Sequence, residues 1–258
     1  MSQSNIHPTA IIDPLSNIAE NVRVGPYSII ADNVTIGSGS KIGNFVTIDS
    51  GTEIGSNCSI LHNSAIGVPP QDLKYNNEDT KLVIGNNVVI RESCTLNRGT
   101  AAHGVTEVGD NCLLMAYVHI AHDCTVGENA IFANQATLGG HVEIGEWASL
   151  GGGVLVHQFC HIGAHAFIGG GFRVVQDVPP FILAAGEPLR YAGINRVGLE
   201  RRGFDADTRT NIKKAYRILF RSKLTRKVAM KKIESDFDHR PEINQIINFI
   251  ESSTRNLI

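Results

Sequence analysis

What this sequence lacks narrows the possibilities first. No apolar run approaches the roughly 18 residues of a membrane-spanning helix, which argues against a helical membrane protein. The opening stretch "MSQSNIHPTAII" has no charged segment leading into an apolar one, so we expect no signal peptide. The five cysteines are an odd number with no CxxC pair, which excludes a dense disulfide framework and fits a reducing, cytoplasmic setting. A large charge of one sign is missing too, since the net charge is only −2. That total hides a split: residues 1–189 carry 7 Lys/Arg against 17 Asp/Glu, and residues 190–258 carry 16 against 8. A basic segment on an acidic body points to an acidic partner for the segment.

Across most of the chain the 3.6-residue period of a helix is also missing, and a period of six replaces it. Ile, Val, Leu or Phe stands at every sixth residue from Ile6 to Ile66, at Ile84, Ile90 and Leu96, and from Val108 to Val174, which makes 26 positions in one phase. Gly follows at 13 of them, and a small or β-branched residue sits four places after nearly all of them. Two inward side chains per six residues means short strands separated by tight turns. The glycines there supply positive φ or close backbone approach. Such a unit cannot bury its apolar face alone and has to stack on its neighbours. All five cysteines fall at the small inward position, so Cys124 is expected to be core and not a nucleophile. Two interruptions, residues 67–83 and 97–107, read as loops thrown out of the solenoid.

Three hexads per coil place every eighteenth residue in one column. Between 108 and 174 one column holds His122, Gly140 and Gln158, and its neighbours hold Asp123 with His141 and Gly139 with His157. Polar groups on three adjacent coils thus meet at one edge, at positions that need not fill the core. His7, His62, His103, His161 and His165 are read instead as solvated surface, and His119 is left unassigned.

After "DVPPFILAAGEPLRYAGIN", which ends at residue 195, the helical period returns. Ile212, Ala215, Tyr216 and Leu219 mark a first helix, Ala229, Ile233 and Phe237 a second, and Ile243, Ile246, Ile247 and Ile250 a third. Asp205 and Thr225 are expected N-caps, and Pro241 suits a first helical position. We therefore divide the chain into a solenoid over 1–186 and a helical domain over 187–258. Lys213, Arg217 and Arg221 form a basic stripe on the first helix. No aromatic platform accompanies it, so nucleic acid is not the expected partner.

The hexad register resembles hexapeptide-repeat proteins, which implies an all-β left-handed parallel β-helix ahead of the small α-helical domain. The stretches "PQDLKY", "IRES", "NRGT", "LLMAYVHIAHDCTVG", "VHQFC", "QDVPP" and "RRGF" resemble, along nearly the whole chain, the UDP-N-acetylglucosamine O-acyltransferases of lipid A biosynthesis. This resemblance implies transfer of a 3-hydroxyacyl chain from acyl carrier protein to the sugar 3-hydroxyl, the first step of that biosynthesis. It implies a homotrimer with sites between neighbouring prisms and no metal or cofactor beyond the carrier thioester. By the same resemblance His122 is the general base, Asp123 its orienting carboxylate and Gly140 the oxyanion donor. Asp72, Lys74, His141 and Gln158 correspond to sugar and phosphate ligands, and His157, Asn195, Arg201 and Arg202 to residues around the nucleotide. The basic stripe then suits the acidic carrier protein.

Departures from the family pattern bear on the sugar accepted. Glu187-Pro188 replaces an Asn-His pair, the loop reads "GVPPQDLKY", and Asn97 stands where several relatives have His. Gly169, Gly170 and Gly171 leave an open wall, from which we expect a chain of about ten to sixteen carbons. Alternatives are a solenoid acyltransferase acting on a 3-amino UDP-sugar and a non-catalytic paralogue. The sister N-acyltransferase would need an N-terminal domain before the hexads. A coenzyme A-dependent acetyltransferase leaves "QDLKY" and the tail unexplained. A solenoid carbonic anhydrase needs a His pair five apart, and an ice-binding solenoid needs a Thr ladder; neither pattern is present.

Overall fold

The computed structural model describes residues 5–237 and 240–258, so the first four residues of the stretch read for a signal peptide lie outside it. The described residues form 27 strands and four α-helices, and most of the strands are only two residues long. Each coil gives one strand to each of three sheets, of nine, eight and ten strands, whose order advances by every third strand. Partners lie one three-hexad coil apart through the regular part: His119 pairs Thr137, Thr125 pairs Glu143 and Ile131 pairs Ser149, all parallel. The aliphatic hexad positions form the axis of the prism, with Ile36, Ile48, Ile66 and Ile90 wholly buried. At about 1.5–3 kcal/mol per buried aliphatic side chain, this column is the main stabilising term.

The small inward position has a polar task as well. Ser28 Oγ donates to Gly43 O at 2.8 Å and accepts from Val46 N at 3.1 Å, and Ser40 repeats the arrangement. The thiols follow the serines: Cys124 Sγ donates to Gly139 O and Cys112 Sγ to Gly127 O. All five cysteines are buried and free, and burial pushes the Cys124 thiol up to about 12, so it is core as expected.

The two turn positions divide the backbone requirements between them. The glycine after each aliphatic residue serves close approach: a Cβ at Gly127 would lie 2.5 Å from Glu146 N on the next coil. Positive φ falls two residues later, on Asn21, Asn33, Tyr117, Asp123, His141 and Phe159 among others, all with φ between 50° and 66°. Except at Gly67, whose φ is 73°, the hexad glycines thus do only one of the two jobs that the period assigned to them.

The insertions lengthen two successive coils. Ser59 pairs Val89 and Val89 pairs Leu113, and both steps are longer than the regular coil that joins Leu113 to Ile131. The extra chain leaves as residues 69–80 and 98–104. At the far end the ten-stranded sheet closes with an antiparallel hairpin, Ile182–Ala185 and Arg190–Ile194, so its hydrogen bonding continues past residue 186.

Four helices follow where three were expected: α1 (Arg196–Arg201), α2 (Ala206–Arg221), α3 (Arg226–Asp236) and α4 (Pro241–Ser252). The additional one, α1, has six residues, too short to show a helical period. Asp205 caps α2 by accepting from Thr208 N at 2.7 Å, whereas Thr225 occupies the N-cap of α3 without a side-chain bond. Tyr216 on α2 is fully buried and donates to Pro180 O at 2.6 Å, which fixes the helices to the prism end.

Candidate active site

Residues 121–124 turn the chain from the nine-stranded to the eight-stranded sheet. Asp123 is the left-handed residue of that turn, at φ 59°, a conformation Asp tolerates better than most residues. Its side chain leaves the prism axis yet is buried, because the 98–104 loop covers it. Thr100 N and Thr100 Oγ1 donate to its two oxygens at 2.8 and 2.6 Å, and its own N–H donates to Thr106 Oγ1. Burial acts to raise its pKa, but the Thr100 bonds, His122 and the field of His141 together hold it below the ordinary carboxylate value. An ionised, immobile carboxylate results.

His122 Nδ1 lies 2.8 Å from Asp123 Oδ2. An imidazole nitrogen facing an ionised carboxylate carries the proton, which leaves Nε2 as the free lone pair. The ring needs the glycine one coil on, since a Cβ at Gly140 would sit 2.6 Å from its Cε1. The Gly140 carbonyl accepts from Phe159 N, while its N–H has no partner among the described residues. His141 completes the corner. Its ring meets His122 edge-on at 5.2 Å and stacks on Phe159 at 4.5 Å, and Nε2 is 3.6 Å from Asp123 Oδ2. Burial outweighs the nearby carboxylates and lowers its pKa, which favours a neutral imidazole.

One donor atom from each of His122, Asp123 and His141 lies within 4.8 Å of the others, close enough to hold a cation. The carboxylate's two oxygens, however, already accept two bonds from Thr100 and face His122 Nδ1. That donor set suits a hydrogen-bonded pair better than a metal.

The other expected residues fall into two groups. Asp72 and Lys74 lie on the 69–80 loop, with Asp72 half-buried and near enough to act on His141, and Lys74 exposed. That loop is clasped by Arg98, which donates to Tyr75 Oη at 3.0 Å and to Gly67 O at 3.1 Å, and by Asn97, which donates to Pro69 O. His157 and Gln158 are exposed on the next coil of the same corner. Asn195, Arg201 and Arg202 are elsewhere, beside the corner between the eight- and ten-stranded sheets. They line a cavity of about 1080 Å3 with Trp147, Leu150 and Phe167. Arg202 lies over the Trp147 ring at 5.0 Å, and Asn195 bridges His165 O and Gly198 N. A single chain does not bring this trio to His122.

His165 overturns its reading as solvated surface. It is 7% exposed, stacked between Trp147 and Phe181 and edge-on to Phe204. The α1–α2 segment, which carries Phe204, covers a position that the prism alone would leave open. His119 is half-buried and bonded to Thr95 Oγ1 at 2.7 Å. The basic stripe Lys213, Arg217 and Arg221 lines a second cavity of about 800 Å3, along strand 190–194 with Arg196. Thr100, Thr106 and Arg255 were missed in the sequence; Thr100 alone had a signal, the "NRGT" stretch.

Residues 33–67 and 106–140 match the bacterial transferase hexapeptide model, and residues 177–258 match domain 2 of the UDP N-acetylglucosamine O-acyltransferases. An acyl-[acyl-carrier-protein]–UDP-N-acetylglucosamine O-acyltransferase from Paracidovorax citrulli is 55% identical over 98% of this chain and 99% of its own. One from Burkholderia orbicola is 47% identical over 99% of each. Crystal structures of the UDP-N-acetylglucosamine acyltransferases of Moraxella catarrhalis and Bacteroides fragilis superpose at TM-score 0.96, with 41% and 43% identity over 98% of this chain and 99% of theirs. The prism is accordingly a left-handed parallel β-helix, and the chain belongs to the UDP-N-acetylglucosamine O-acyltransferase family.

Proposed function

We propose that this chain transfers a 3-hydroxyacyl group from acyl carrier protein to the 3-hydroxyl of UDP-N-acetylglucosamine, the first step of lipid A biosynthesis. The observation that carries the mechanism is His122 Nδ1 at 2.8 Å from a carboxylate locked by Thr100. A sugar hydroxyl is a poor nucleophile near neutrality and needs a base. His122 Nε2 takes the hydroxyl proton as the oxygen attacks the thioester carbonyl, and Asp123 stabilises the imidazolium. The tetrahedral oxyanion accepts from the unpaired Gly140 N–H. Collapse expels the carrier thiolate, which recovers the proton from His122, so acyl group and proton balance without a cofactor. A neutral His141 spares the corner a second positive charge at the moment His122 becomes cationic.

Asp72, Lys74, His141, His157 and Gln158 surround this corner and are assigned to the sugar nucleotide. Asn195, Arg201 and Arg202 are assigned to the nucleotide bound at a neighbouring copy, because they sit at a different corner of their own prism. A homotrimer with one site per interface accommodates both groups. The cleft of Lys213, Arg217 and Arg221 takes the acidic carrier protein. The glycines at 151–153 and 169–171 leave the adjoining wall free for a chain of about ten to sixteen carbons. Five buried free thiols suit a cytoplasmic protein, and no helix among the described residues is long and apolar enough to cross a membrane.

The test is to supply purified protein with UDP-N-acetylglucosamine and carrier thioesters of varied length, with and without the 3-hydroxyl, alongside His122→Ala. Product from one 3-hydroxyacyl length, falling at least about 100-fold in the variant, is expected. Activity only with a 3-amino sugar would move the acceptor, and silence with both would make the chain a non-catalytic paralogue.

A further inference from the structure

Residues 253–258 cross the corner that carries His122. The anchor is Asp177, which is fully buried and continues the column of Asp123, His141 and Phe159. One carboxylate oxygen accepts from His161 N at 2.8 Å, and the other accepts from Ser253 Oγ at 2.6 Å and Arg255 N at 3.3 Å. Leu257 pairs with Asp177 in a parallel bridge, and Gln176 Nε2 donates to Leu257 O. So placed, Arg255 reaches back: its Nη1 lies 3.1 Å from His157 Nδ1, 3.3 Å from Val175 O and 3.5 Å from Cys160 Sγ.

A guanidinium has donors and no acceptor, and it stays charged. His157 Nδ1 can meet it only as a lone pair, which puts the imidazole proton on Nε2. The same Nδ1 is 3.0 Å from Gln158 O, a contact that requires the opposite tautomer, with Nδ1–H donating. The two arrangements exclude each other, and Arg255 decides between them. Without it, Gln158 O would draw the proton to Nδ1, and the nitrogen offered to a ligand would change from donor to acceptor.

We propose that Arg255 is a positioning residue for the acyl transfer: it sets the tautomer of His157, so that Nε2–H donates to an acceptor oxygen of the sugar nucleotide. The inference rests on the reading of His157 as a substrate contact. It assigns the C-terminal segment a part in substrate recognition through a residue outside the short stretches that carry the sequence resemblance.

Steady-state kinetics of the full-length protein, with Arg255→Ala, Arg255→Lys, His157→Ala and the Arg255→Ala/His157→Ala double variant, test it. Arg255→Ala should raise the KM for UDP-N-acetylglucosamine about ten-fold with kcat within about two-fold, as expected for lost ground-state binding. Arg255→Lys, which keeps a donor, should recover most of that loss. In the His157→Ala background, removing Arg255 should add nothing. Long-range 15N–1H spectra of histidine-labelled protein should show His157 protonated on Nε2, and on Nδ1 in Arg255→Ala. Effects of Arg255 and His157 that multiply, or an unchanged tautomer in Arg255→Ala, would each overturn the proposal. If His157→Ala keeps the wild-type KM, it is the reading of His157 as a substrate contact that falls.

Discussion

Asp123 depends on a threonine that no periodicity points to. Thr100 supplies two of the three hydrogen bonds to the carboxylate oxygens, which help hold it ionised and still. Thr100→Val keeps the volume and the backbone N–H but removes the Oγ1 bond. Its expected effect is a fall in kcat of about ten- to a hundred-fold at nearly unchanged KM, since orientation of the base matters mainly in the transition state. An equal rise in KM instead would place Thr100 in substrate binding. His122, Asp123, Gly140 and His141 were legible because a coil of three hexads fixes which residues stack. Thr100 was not, because it lies inside an interruption, where the register says nothing about where the chain returns. His165 failed for a related reason: its column is outward on the prism, but Phe204 arrives from outside that column to bury it beside Trp147, the residue one coil before it. That burial has a pH signature. Desolvation, aided by Arg202, lowers its pKa from the ordinary 6.5 to about 4. Above pH 6.5 the residue is neutral in both folded and unfolded chains and costs nothing. As pH falls from 6.5 towards 4 the unfolded chain binds the proton first, so stability should drop by up to about 3 kcal/mol per chain. Denaturant titrations across that window should show the slope in wild type and a flatter one in His165→Phe.

At the level of elements, the two loops and the turn glycines carry different risks. The 69–80 and 98–104 segments are not independent lids: Arg98 and Asn97 tie one to the other, and Thr100 ties the second to Asp123. The sequence marked both as breaks in the hexads, yet their mutual contact came through side chains that no spacing rule connects. The hexad glycines are the opposite case, visible at once by period, with only their purpose to be learned. A Cβ at Gly127 would lie 2.5 Å from Glu146 N and 2.9 Å from Gly145 C, backbone atoms that cannot swing away. Gly127→Ala should therefore destabilise by about 1–3 kcal/mol, read from the urea midpoint, although alanine is otherwise a mild change. A neutral result would mean that successive coils can separate locally without loss. The missing short helix, α1, illustrates a further limit: a single turn and a half shows no 3.6 period, and its N-cap Asn195 is set by a contact with His165 O from the prism.

For the whole molecule, the distribution of site residues over two corners sets the sharpest expectation. His122→Ala and Arg202→Ala chains, each inactive or nearly so alone, should regain activity when co-expressed or refolded together. In the proposed trimer, a mixed interface would pair an intact His122 from one chain with an intact Arg202 from another. Recovery absent at every mixing ratio, with mixed oligomers present, would place both residues in one chain's site. The split was invisible in the sequence because columns describe a single prism. They say which residues share a corner but not which corner faces a neighbour.

The contact between Asp177 and the 253–258 segment also orders events in time. Each coil pairs with the coils just before and after it, as His119 does with Thr95 and Thr137, and can stack as it leaves the ribosome. The backbone that completes the corner lies much further on, 78 residues beyond Asp177. At about 5–20 residues per second, roughly 4 to 16 s separate the synthesis of the two. During that interval the nascent chain can hold a formed His122–Asp123 pair on an unfinished corner, with His157 not yet met by Arg255. Completion of the corner is thereby linked to translation of the helical segment, and a chain released before that point would carry the His122–Asp123 pair without the Asp177–Arg255 and Arg255–His157 contacts.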